Sequence, residues 1–374
     1  MHELDIKAVR VYAVGPSLTP RFRFSGEIAD RFMTYTIVRI TASGGLEGAG
    51  GIDSEGIGAF DSTLAEALQP LIDRLIGRSA LERNAIFREL LGVQTVAQPY
   101  GPSLIDIALW DLVAQGAGFP LYQMLGGSRA KIPSYASSPV FDDPKDYVDY
   151  VEKVLDLGYT AVKFHTRGEL DWDLAVVQAV DDQFGSRSIR FMLDLEEKYD
   201  LERALIMADE LSRLEYAWLE APLPDQDLEG YQRLRARTTV PILCSGNVIT
   251  DLPAIREAIE MGCWSAVRTD PCVVGGITAA SKVMALAEAN GLSTELQSYG
   301  YPLSQAANLH LMLAYGNCSY FEQPVPVEHF NYAAKSPIFV DAQGHAHAPT
   351  APGLGIEMDW ERIEADAFLT FEAR

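Results

Sequence analysis

Three short apolar runs, each followed by a polar residue, decide the fold: FMLD at 191–194, YAWLE at 216–220 and PILCSGN at 241–247. They end at Asp194, Glu220 and Asn247. The intervals of 26 residues (194 to 220) and 27 residues (220 to 247) each have room for one strand, one helix and two loops. This spacing predicts successive parallel barrel strands, whose carboxyl ends would gather three oxygen donors where a divalent cation can be held.

The composition is that of a soluble globular protein with an acidic surface. Of the 374 residues, 48% are hydrophobic and 22% are charged, and the formal net charge is −22. This length is enough for two domains, or for one large domain with an elaboration, around a sizeable core. The negative charge argues against nucleic acid and anionic membranes as partners. An anionic substrate would therefore need local cationic groups or a metal.

The cysteines and the N-terminus predict a cytoplasmic protein. The four cysteines form no CxxC pair, so we expect buried thiols in a reducing compartment. The first residues, MHELD, are not a basic region followed by an apolar run, and no stretch approaches the length of a membrane span.

Residues 1–129 are predicted to form an α+β unit. Runs at 4–15 and 33–42 alternate β-branched and aromatic residues, and glycines punctuate the sequence after them, which favours a small antiparallel meander. Apolar residues at helical spacing predict two helices within 62–91 and a third over 103–117.

From residue 132 onward, strands and helices alternate strictly. The eight strand candidates are 132–136, 160–165, 189–194, 215–220, 240–244, 265–269, 292–297 and 319–322. Their spacing of about 25–30 residues fits the βα unit of a closed parallel barrel, whose functional groups lie on the loops after the strands. We expect the tail beyond the last strand to return to the N-terminal domain.

The second barrel strand carries two candidate bases. In AVKFH (161–165), Lys163 and His165 lie two residues apart and share one face of the strand. Two bases that point into a barrel mouth suit proton abstraction, particularly where burial and a nearby cation lower the pKa of the lysine. A lysine at a strand end beside a hydrogen-bonded core histidine explains the pair equally well, so this strand alone leaves both readings open.

The third and fourth strands and the fifth loop supply oxygen donors. Asp194, Glu220 and Asn247 offer the hard oxygen ligands that suit Mg²⁺. Glu196 shares a face with Asp194 and adds a second carboxylate there. Asn247 is the weakest of the three candidate ligands because its amide oxygen carries no charge.

The last three strands also end in polar residues. Arg268 and Asp270 share one face of the sixth strand, so a mutual ion pair is the simplest explanation of both. Gln297, after the seventh strand, can form hydrogen bonds but cannot be a general base. Tyr299 follows it, and Glu322 places a further carboxylate at the end of the eighth strand.

Several motifs spread along the chain occur together in a known family: IDIALWD (105–111), WLEAP (218–222), GGIT (275–278), AANLH (306–310) and PGLG (352–355). With the residues above, they resemble the enolase superfamily and, within it, the mandelate racemase/muconate lactonising branch. The resemblance covers nearly the whole chain. It implies a modified (β/α)8-type barrel, (β/α)7β, over 130–326, with an α+β capping domain formed by 1–129 and the tail 327–374.

The resemblance also implies the roles of site residues. Asp194, Glu220 and Asn247 take the three metal positions with Mg²⁺ as cofactor, and Lys163 takes that of a catalytic lysine. The superfamily uses a Lys or His base with Mg²⁺ to stabilise an enediolate, because a proton α to a carboxylate is too weakly acidic for an ordinary base alone. Glu322 matches a carboxyl that hydrogen-bonds the substrate carboxylate, which requires Glu322 to be protonated.

Three departures from the family pattern favour elimination over racemisation. Asn247 replaces the usual Glu, as in glucarate-dehydratase-like members, and His165 replaces a second Lys. Gln297 replaces the His that pairs with the sixth-strand Asp270, so the Asp–His dyad is broken. A racemase needs a base on each face of the α-carbon, whereas a dehydratase needs one base and one acid. The candidates for that acid are His165, Glu196 and Tyr299.

The predicted function is a metal-dependent hydro-lyase reaction: removal of the proton α to the carboxylate of a sugar acid or related hydroxy acid, followed by loss of water. One alternative is a one-base isomerisation, such as cycloisomerisation. Another is a binding barrel whose ligand set has decayed, as Asn247 and Gln297 suggest. The expected partner is a small carboxylate, and a homo-oligomer, a dimer or an octamer, is expected.

Specificity is predicted to come from capping-domain loops near 16–32 and 51–60, which this family folds over the barrel mouth. Arg21, Arg23 and Arg31 are candidates to bind a distal carboxylate or hydroxyl of the substrate, and Arg268 is a further candidate.

Overall fold

The structure, a computed structural model, describes residues 2–15, 33–55, 58–93, 96 and 98–374. Its strands are β1 Ile6–Val14, β2 Met33–Ala42, β3 Glu47–Glu55, β4 Lys131–Ser137, β5 Ala161–His165, β6 Arg190–Asp194, β7 Trp218–Glu220, β8 Ile242–Leu243, β9 Ala266–Thr269, β10 Ser293–Leu296, β11 Phe321–Pro324, β12 His345–His347 and β13 Ala367–Ala373. Its α-helices are α1 Gly58–Ile72, α2 Arg83–Gly92, α3 Tyr100–Ala117, α4 Leu121–Met124, α5 Pro144–Asp156, α6 Leu170–Phe184, α7 Leu201–Arg213, α8 Leu228–Arg235, α9 Leu252–Met261, α10 Pro271–Val274, α11 Gly276–Ala289, α12 Pro302–Ala314 and α13 Trp360–Asp366.

The smaller of two sheets joins both ends of the chain. It is antiparallel, with the strand order β13-β1-β2-β3. Helices α1 and α3 pack against it, and their apolar residues belong to the main core. The predicted antiparallel meander and the predicted return of the tail to the N-terminal strands are both confirmed.

Strand β3 runs through glycines that the sequence analysis treated as punctuation between elements. Gly48 and Gly50 lie so close to α3 that a Cβ atom on either would collide with its backbone, at Ala108 and Leu104 respectively. Glycine usually weakens a strand, but it is required where another backbone approaches closely. These glycines therefore allow α3 to pack directly on the sheet.

The larger sheet is the barrel. Its strands run in the order β10-β9-β8-β7-β6-β5-β4-β11 and all of these pairs are parallel, while β12 adds to β4 in the antiparallel sense. Between β10 and β11, the end strands of this order, Ser298 Oγ accepts a hydrogen bond from Glu322 N (2.9 Å) and donates one to Glu322 O (2.9 Å). Helices α5, α6, α7, α8, α9, α11 and α12 connect the eight parallel strands in this fully described part of the chain. The (β/α)7β barrel with a capping domain is confirmed.

Two buried aspartates of the IDIALWD motif connect α3 to the rest of the molecule. Asp106 accepts hydrogen bonds from Thr278 N (2.9 Å) and Thr278 Oγ1 (2.7 Å), at the start of α11. Asp111 accepts from Ala49 N (2.9 Å) on β3 and from Leu354 N (2.7 Å) in the tail. The motif thus ties barrel, cap and tail together, because each unpaired backbone donor would otherwise be costly to bury.

Asp106 is expected to make stability depend on pH. Burial raises its pKa to about 7, although the hydrogen bonds from Thr278 lower it. The folded-state pKa lies above the unfolded value of roughly 3.9. At pH values between these two pKa values, the native state therefore keeps a proton on Asp106 that the unfolded state has lost. The stabilisation linked to Asp106 is fully present below about pH 4 and disappears as the pH rises through 7.

Asp106→Asn should therefore flatten the pH dependence of the free energy of unfolding between pH 5 and 8, measured by urea denaturation. In the wild type, the contribution of Asp106 to the free energy of unfolding should fall by at least about 1 kcal/mol over this range, since one pKa unit corresponds to about 1.4 kcal/mol. The variant should lack this fall. Asp73→Asn, at an exposed aspartate, is the control and should keep the wild-type slope. An unchanged slope in Asp106→Asn would contradict this account.

The predicted burial of the cysteine thiols is confirmed. All four, Cys244, Cys263, Cys272 and Cys318, are buried and free of disulfides. Among the residues that the structure describes, no helix is both long enough and apolar enough to cross a bilayer.

Candidate active site

A cavity of about 360 Å³ opens at the carboxyl ends of the barrel strands. Most of the residues that the sequence singled out line it, together with three that it did not single out. The lining residues are Lys163, His165, Asp194, Glu196, Glu197, Glu220, Ala221, Ser245, Asn247, Gln297, Tyr299 and Glu322.

Parallel register brings the functional residues of β5, β6 and β7 side by side. His165 is level with Asp194, and Asp194 is level with Glu220. Neighbouring strands lie about 4.8 Å apart, and side chains level with one another point to the same face. Residues that are far apart in sequence thereby become direct neighbours at the barrel mouth.

Lys163 lies at the centre of a buried ionic cluster. Its Nζ atom is 3.2 Å from Asp194 Oδ2, 3.0 Å from Glu220 Oε1 and 2.8 Å from Glu322 Oε1. Burial and the charge of Arg268 act to lower the pKa of Lys163, but Glu220 and Glu322 outweigh them, and the pKa lies well above its ordinary value. Lys163 is therefore an ammonium ion that donates to three carboxylates.

Arg268 lies beneath the cavity and is not among the residues that line it. Its side chain is fully buried, and its Nη2 atom is 2.7 Å from Glu322 Oε2 while its Nε atom contacts Glu220 Oε1. Arg268 is thus placed to compensate buried carboxylates, not to contact a substrate as the sequence analysis predicted. The simple ion pair with Asp270 is not the arrangement found, because Asp270 Oδ1 accepts from Cys272 N (2.8 Å) and Asn308 Nδ2 (3.1 Å).

The ionic cluster consists of three buried carboxylates and two buried cations: Asp194, Glu220, Glu322, Lys163 and Arg268. Burial acts against ionisation of Glu322, but Lys163 and Arg268 bring its pKa down to about 2. Lys163 likewise outweighs burial at Asp194, whose pKa lies well below its ordinary value. Burial raises the pKa of Glu220 to about 7, against the opposing effect of Arg268. Glu322 accepts from Lys163 Nζ, Arg268 Nη2 and Ser137 Oγ, and these donors favour its ionised form over the protonated form that the family resemblance implies.

His165 presents one ring nitrogen to the cavity. Its Nδ1 atom is 2.7 Å from the carbonyl oxygen of Ser138, and its Nε2 atom is 3.4 Å from Asp194 Oδ2. A carbonyl oxygen only accepts, so Nδ1 carries the proton in the neutral ring. Burial lowers the pKa of His165, but the hydrogen bond and charge of Asp194 raise it above its ordinary value. Nε2 is therefore the atom that can take up or release a proton at the cavity.

The loops after β6 and β7 have a constrained backbone. Glu196, Glu197 and Ala221 have positive φ angles of 48°, 64° and 45°, a region that non-glycine residues seldom adopt and that often marks functional sites. The two loops are joined by a hydrogen bond from Glu197 N to Ala221 O (2.8 Å). The side chains on them are thus held in fixed positions at the rim.

A hydrogen-bond network that the sequence analysis missed supports the loop that carries Asn247. Ser245 Oγ lies 2.7 Å from Asp225 Oδ2 and 2.8 Å from Glu197 Oε1, and the buried Asp225 also accepts from Ser245 N (2.8 Å) and Gly246 N (3.2 Å). Asp225 follows β7 by five residues and therefore lies outside the strand ends at which functional residues were predicted. Glu197 directly follows Glu196 in the sequence, so this pair of carboxylates was a signal that could have identified it.

The donor set of the cavity fits a hard divalent cation. Asp194 and Glu220 are adjacent across the β6–β7 pair, and Asn247, exposed at the rim, lines the same cavity. No cluster of three or more His, Cys, Asp or Glu side chains arranged to hold a metal occurs in the described ranges. Oxygen donors of this kind suit Mg²⁺, and the excess of buried carboxylates over cations leaves negative charge for it to offset.

Asp270 lies in a neighbouring cavity of about 300 Å³. Asn247, Gln297 and Tyr299 line both cavities, so the two share a wall. The loop arginines Arg21, Arg23 and Arg31, predicted to bind a distal group of the substrate, lie outside the described residues.

Two family models match the chain and together span most of it. Residues 9–126 match the mandelate racemase / muconate lactonizing enzyme N-terminal domain, and residues 146–362 match the enolase C-terminal domain-like family. The chain therefore belongs to the mandelate racemase/muconate lactonizing enzyme family of the enolase superfamily.

Individual relatives agree with this assignment. The chain is 29% identical to the D-galactonate dehydratase of Pectobacterium atrosepticum over 80% of its own length and 83% of that protein. It is similar to the crystal structure of a candidate mandelate racemase/muconate lactonizing enzyme from Pseudovibrio sp., with a TM-score of 0.95, 40% identity and 98% of each chain covered. It also resembles D-glucarate dehydratase from Agrobacterium tumefaciens complexed with magnesium, with a TM-score of 0.84, 26% identity and coverage of 98% and 100%.

Proposed function

We propose that the chain is a Mg²⁺-dependent hydro-lyase that removes the proton α to the carboxylate of a sugar acid and then expels water. The observation that carries this proposal is the meeting, in one cavity, of a proton-transfer atom, His165 Nε2, with the oxygen donors of Asp194, Glu220 and Asn247. The similarity to enzymes named D-galactonate and D-glucarate dehydratase supports the same chemistry.

Asp194, Glu220 and Asn247 are the residues that would hold Mg²⁺. When bound, Mg²⁺ supplies the positive charge that stabilises the enediolate formed on loss of the α-proton. The ammonium group of the buried Lys163 contacts Glu322 and the two ligand carboxylates, and it compensates their charge.

His165 is the proposed acid–base residue. Its Nε2 atom accepts the α-proton as the C–H bond breaks, and the C–C double bond then forms as the C–O bond of the β-hydroxyl breaks. The same Nε2–H donates its proton to that hydroxyl, so that water leaves and the histidine returns to its starting state. The hydrogen bond from Nδ1 to Ser138 O holds the ring in the orientation that this transfer needs.

The environment of Asp270 supports elimination by one base. Gln297 and Asp270 line the same cavity, and Asp270 accepts hydrogen bonds from Cys272 N and Asn308 Nδ2. A carboxamide cannot abstract a proton, so the pair does not supply a second histidine base for racemisation.

A screen of sugar acids with Mg²⁺ tests the reaction. We expect at least one acid to lose water and give a 2-keto-3-deoxy acid, identified by NMR. A product of the same composition as the substrate would show isomerisation without loss of water. The chain would then be an isomerase and not a hydro-lyase.

Metal binding can be tested without turnover. Mg²⁺ should raise the melting temperature in thermal-shift titrations, since a ligand at a hundredfold excess over its Kd stabilises the native state by about 2.7 kcal/mol. Asp194→Asn should remove most of this shift. Asp209→Asn, on the exposed face of α7, is the control and should keep it. An equal shift in Asp194→Asn would show that the metal binds elsewhere.

A further inference from the structure

The neighbouring cavity extends the active site toward the capping domain. It lies between barrel residues and residues of β3, α1 and α3, and it shares Asn247, Gln297 and Tyr299 with the active-site cavity. A sugar acid held by its carboxylate near Asp194 and Glu220 would extend its far end in this direction. We refer to this cavity as the distal lobe, with the polar lining residues Asp53, Ser54, Tyr100, Asp270, Gln297 and Ser304.

The charged side chains that line the distal lobe are carboxylates. Asp53 and Asp270 both line it, and no lysine or arginine does so within the described part of the chain. Asp53 Oδ1 accepts a hydrogen bond from Tyr301 N (2.9 Å), and Asp270 Oδ1 accepts from Cys272 N and Asn308 Nδ2. In each carboxyl group these hydrogen bonds fall on Oδ1, so both side chains are held in place in the wall of the lobe.

Two serine hydroxyls of the lobe already use their protons within the protein. Ser54 Oγ donates its proton to Asp61 Oδ2 (2.6 Å), and Ser304 Oγ donates to Tyr301 O (2.8 Å). Gln297 Oε1 is buried and has no hydrogen-bond partner among the described residues. Leaving a buried acceptor unpaired is costly, so the lobe is suited to a ligand that donates hydrogen bonds.

We infer that the distal lobe receives an uncharged, hydroxyl-bearing end of the substrate, so that the substrate is a sugar mono-acid (an aldonate) rather than a sugar diacid (an aldarate). This inference rests on the proposed dehydratase function. A terminal hydroxyl can donate to Asp53, Asp270 or Gln297 Oε1. The second carboxylate of a diacid has no proton to donate, and it would face two carboxylates in a buried setting.

The electrostatics of the lobe agree with this inference. Burial raises the pKa of Asp270 to about 7, and the charge of Asp53 contributes to that rise. Burial also raises the pKa of Asp53 to about 6. Burial thus acts against negative charge at both carboxyl groups, and it would act in the same way against the second carboxylate of a diacid.

The test compares mono-acids and diacids of matched configuration: galactonate with galactarate, and gluconate with glucarate. We compare the two acids within the pair that the wild type dehydrates faster, with Mg²⁺ present. There, kcat/KM for the mono-acid should exceed that for the diacid by at least about tenfold. Binding of the same acids to His165→Asn, measured by calorimetry, should show the same preference without turnover.

Asp53→Asn removes one charge from the lobe and keeps an oxygen that can accept from Tyr301 N. It should shift the ratio of kcat/KM values toward the diacid by about tenfold. Glu66→Gln is the matched control, because it makes the same change of charge on an exposed residue of α1 and should leave the ratio unchanged.

The possible results separate this inference from the proposed function. A wild-type preference for the diacid, or an unchanged ratio in Asp53→Asn, would overturn the inference and leave the dehydratase function standing. Failure to dehydrate any sugar acid would overturn the proposed function. Even then, calorimetry on His165→Asn would report whether the mono-acid or the diacid of each pair binds more tightly. Equal binding of the two, or no binding of either, would overturn the inference that the substrate is a mono-acid.

Discussion

His165→Asn should lower kcat/KM for the dehydrated acid by about 10³-fold, the middle of the range for loss of a general acid–base residue. The asparagine amide can still donate to Ser138 O, as Nδ1 does in the native protein. It has no atom equivalent to Nε2 that can accept and return a proton. The fold and the binding of substrate should therefore persist while proton transfer is lost.

Formation of the keto acid and exchange of the α-proton in D₂O, followed by NMR, measure the two halves of the reaction. We expect both to fall together, because one atom is proposed to serve both steps. Exchange at the native rate with no water loss would limit His165 to the role of acid. His347→Asn is the control, since His347 is exposed and lies against Asp341, and it should keep native activity.

The second large effect is expected at Arg268, on stability. Arg268→Met leaves Glu220 and Glu322 buried with one cation fewer, and loss of one partner of a buried ion pair typically costs 3–5 kcal/mol. Urea denaturation should show a loss of about this size. The exposed Arg213, which pairs with Glu210 on the surface of α7, should show a far smaller loss on the same substitution.

A double variant keeps this prediction testable if Arg268→Met folds poorly. Arg268→Met combined with Glu322→Gln removes a buried negative charge along with the positive one, so it should be more stable than Arg268→Met alone. A loss in Arg268→Met no greater than that in the Arg213 variant would mean that the cluster is not held together by Arg268.

Much of the barrel was predictable because its rules are local. Side chains alternate with a period of two along a strand, and polar residues at strand ends recur at the spacing of one βα unit. These rules were enough to place Asp194 and Glu220 at the mouth of the barrel and Lys163 and His165 on one face of β5. Parallel register then made them neighbours, as predicted from their positions in the strands.

Local rules do not show which distant residue approaches a given position. Strand β3 was missed because its glycines have meaning only once α3 lies on top of them. The segment near 51–60 was predicted to contribute to specificity, but Asp53 within it was not singled out, since its hydrogen bond to Tyr301 N joins residues 248 positions apart.

The sequence by itself determined the barrel, its family and the chemical types of the residues at its mouth, because strand periodicity and motif spacing are properties of short segments. Only the tertiary structure decided how those residues share their charges. It placed Arg268 under the cavity against Glu220 and Glu322, not beside Asp270, and it put two cations, Lys163 and Arg268, against Glu322. The physical reason is that ion pairing and burial depend on distances across the barrel, and these are set by the closure of the sheet and the packing of the cap.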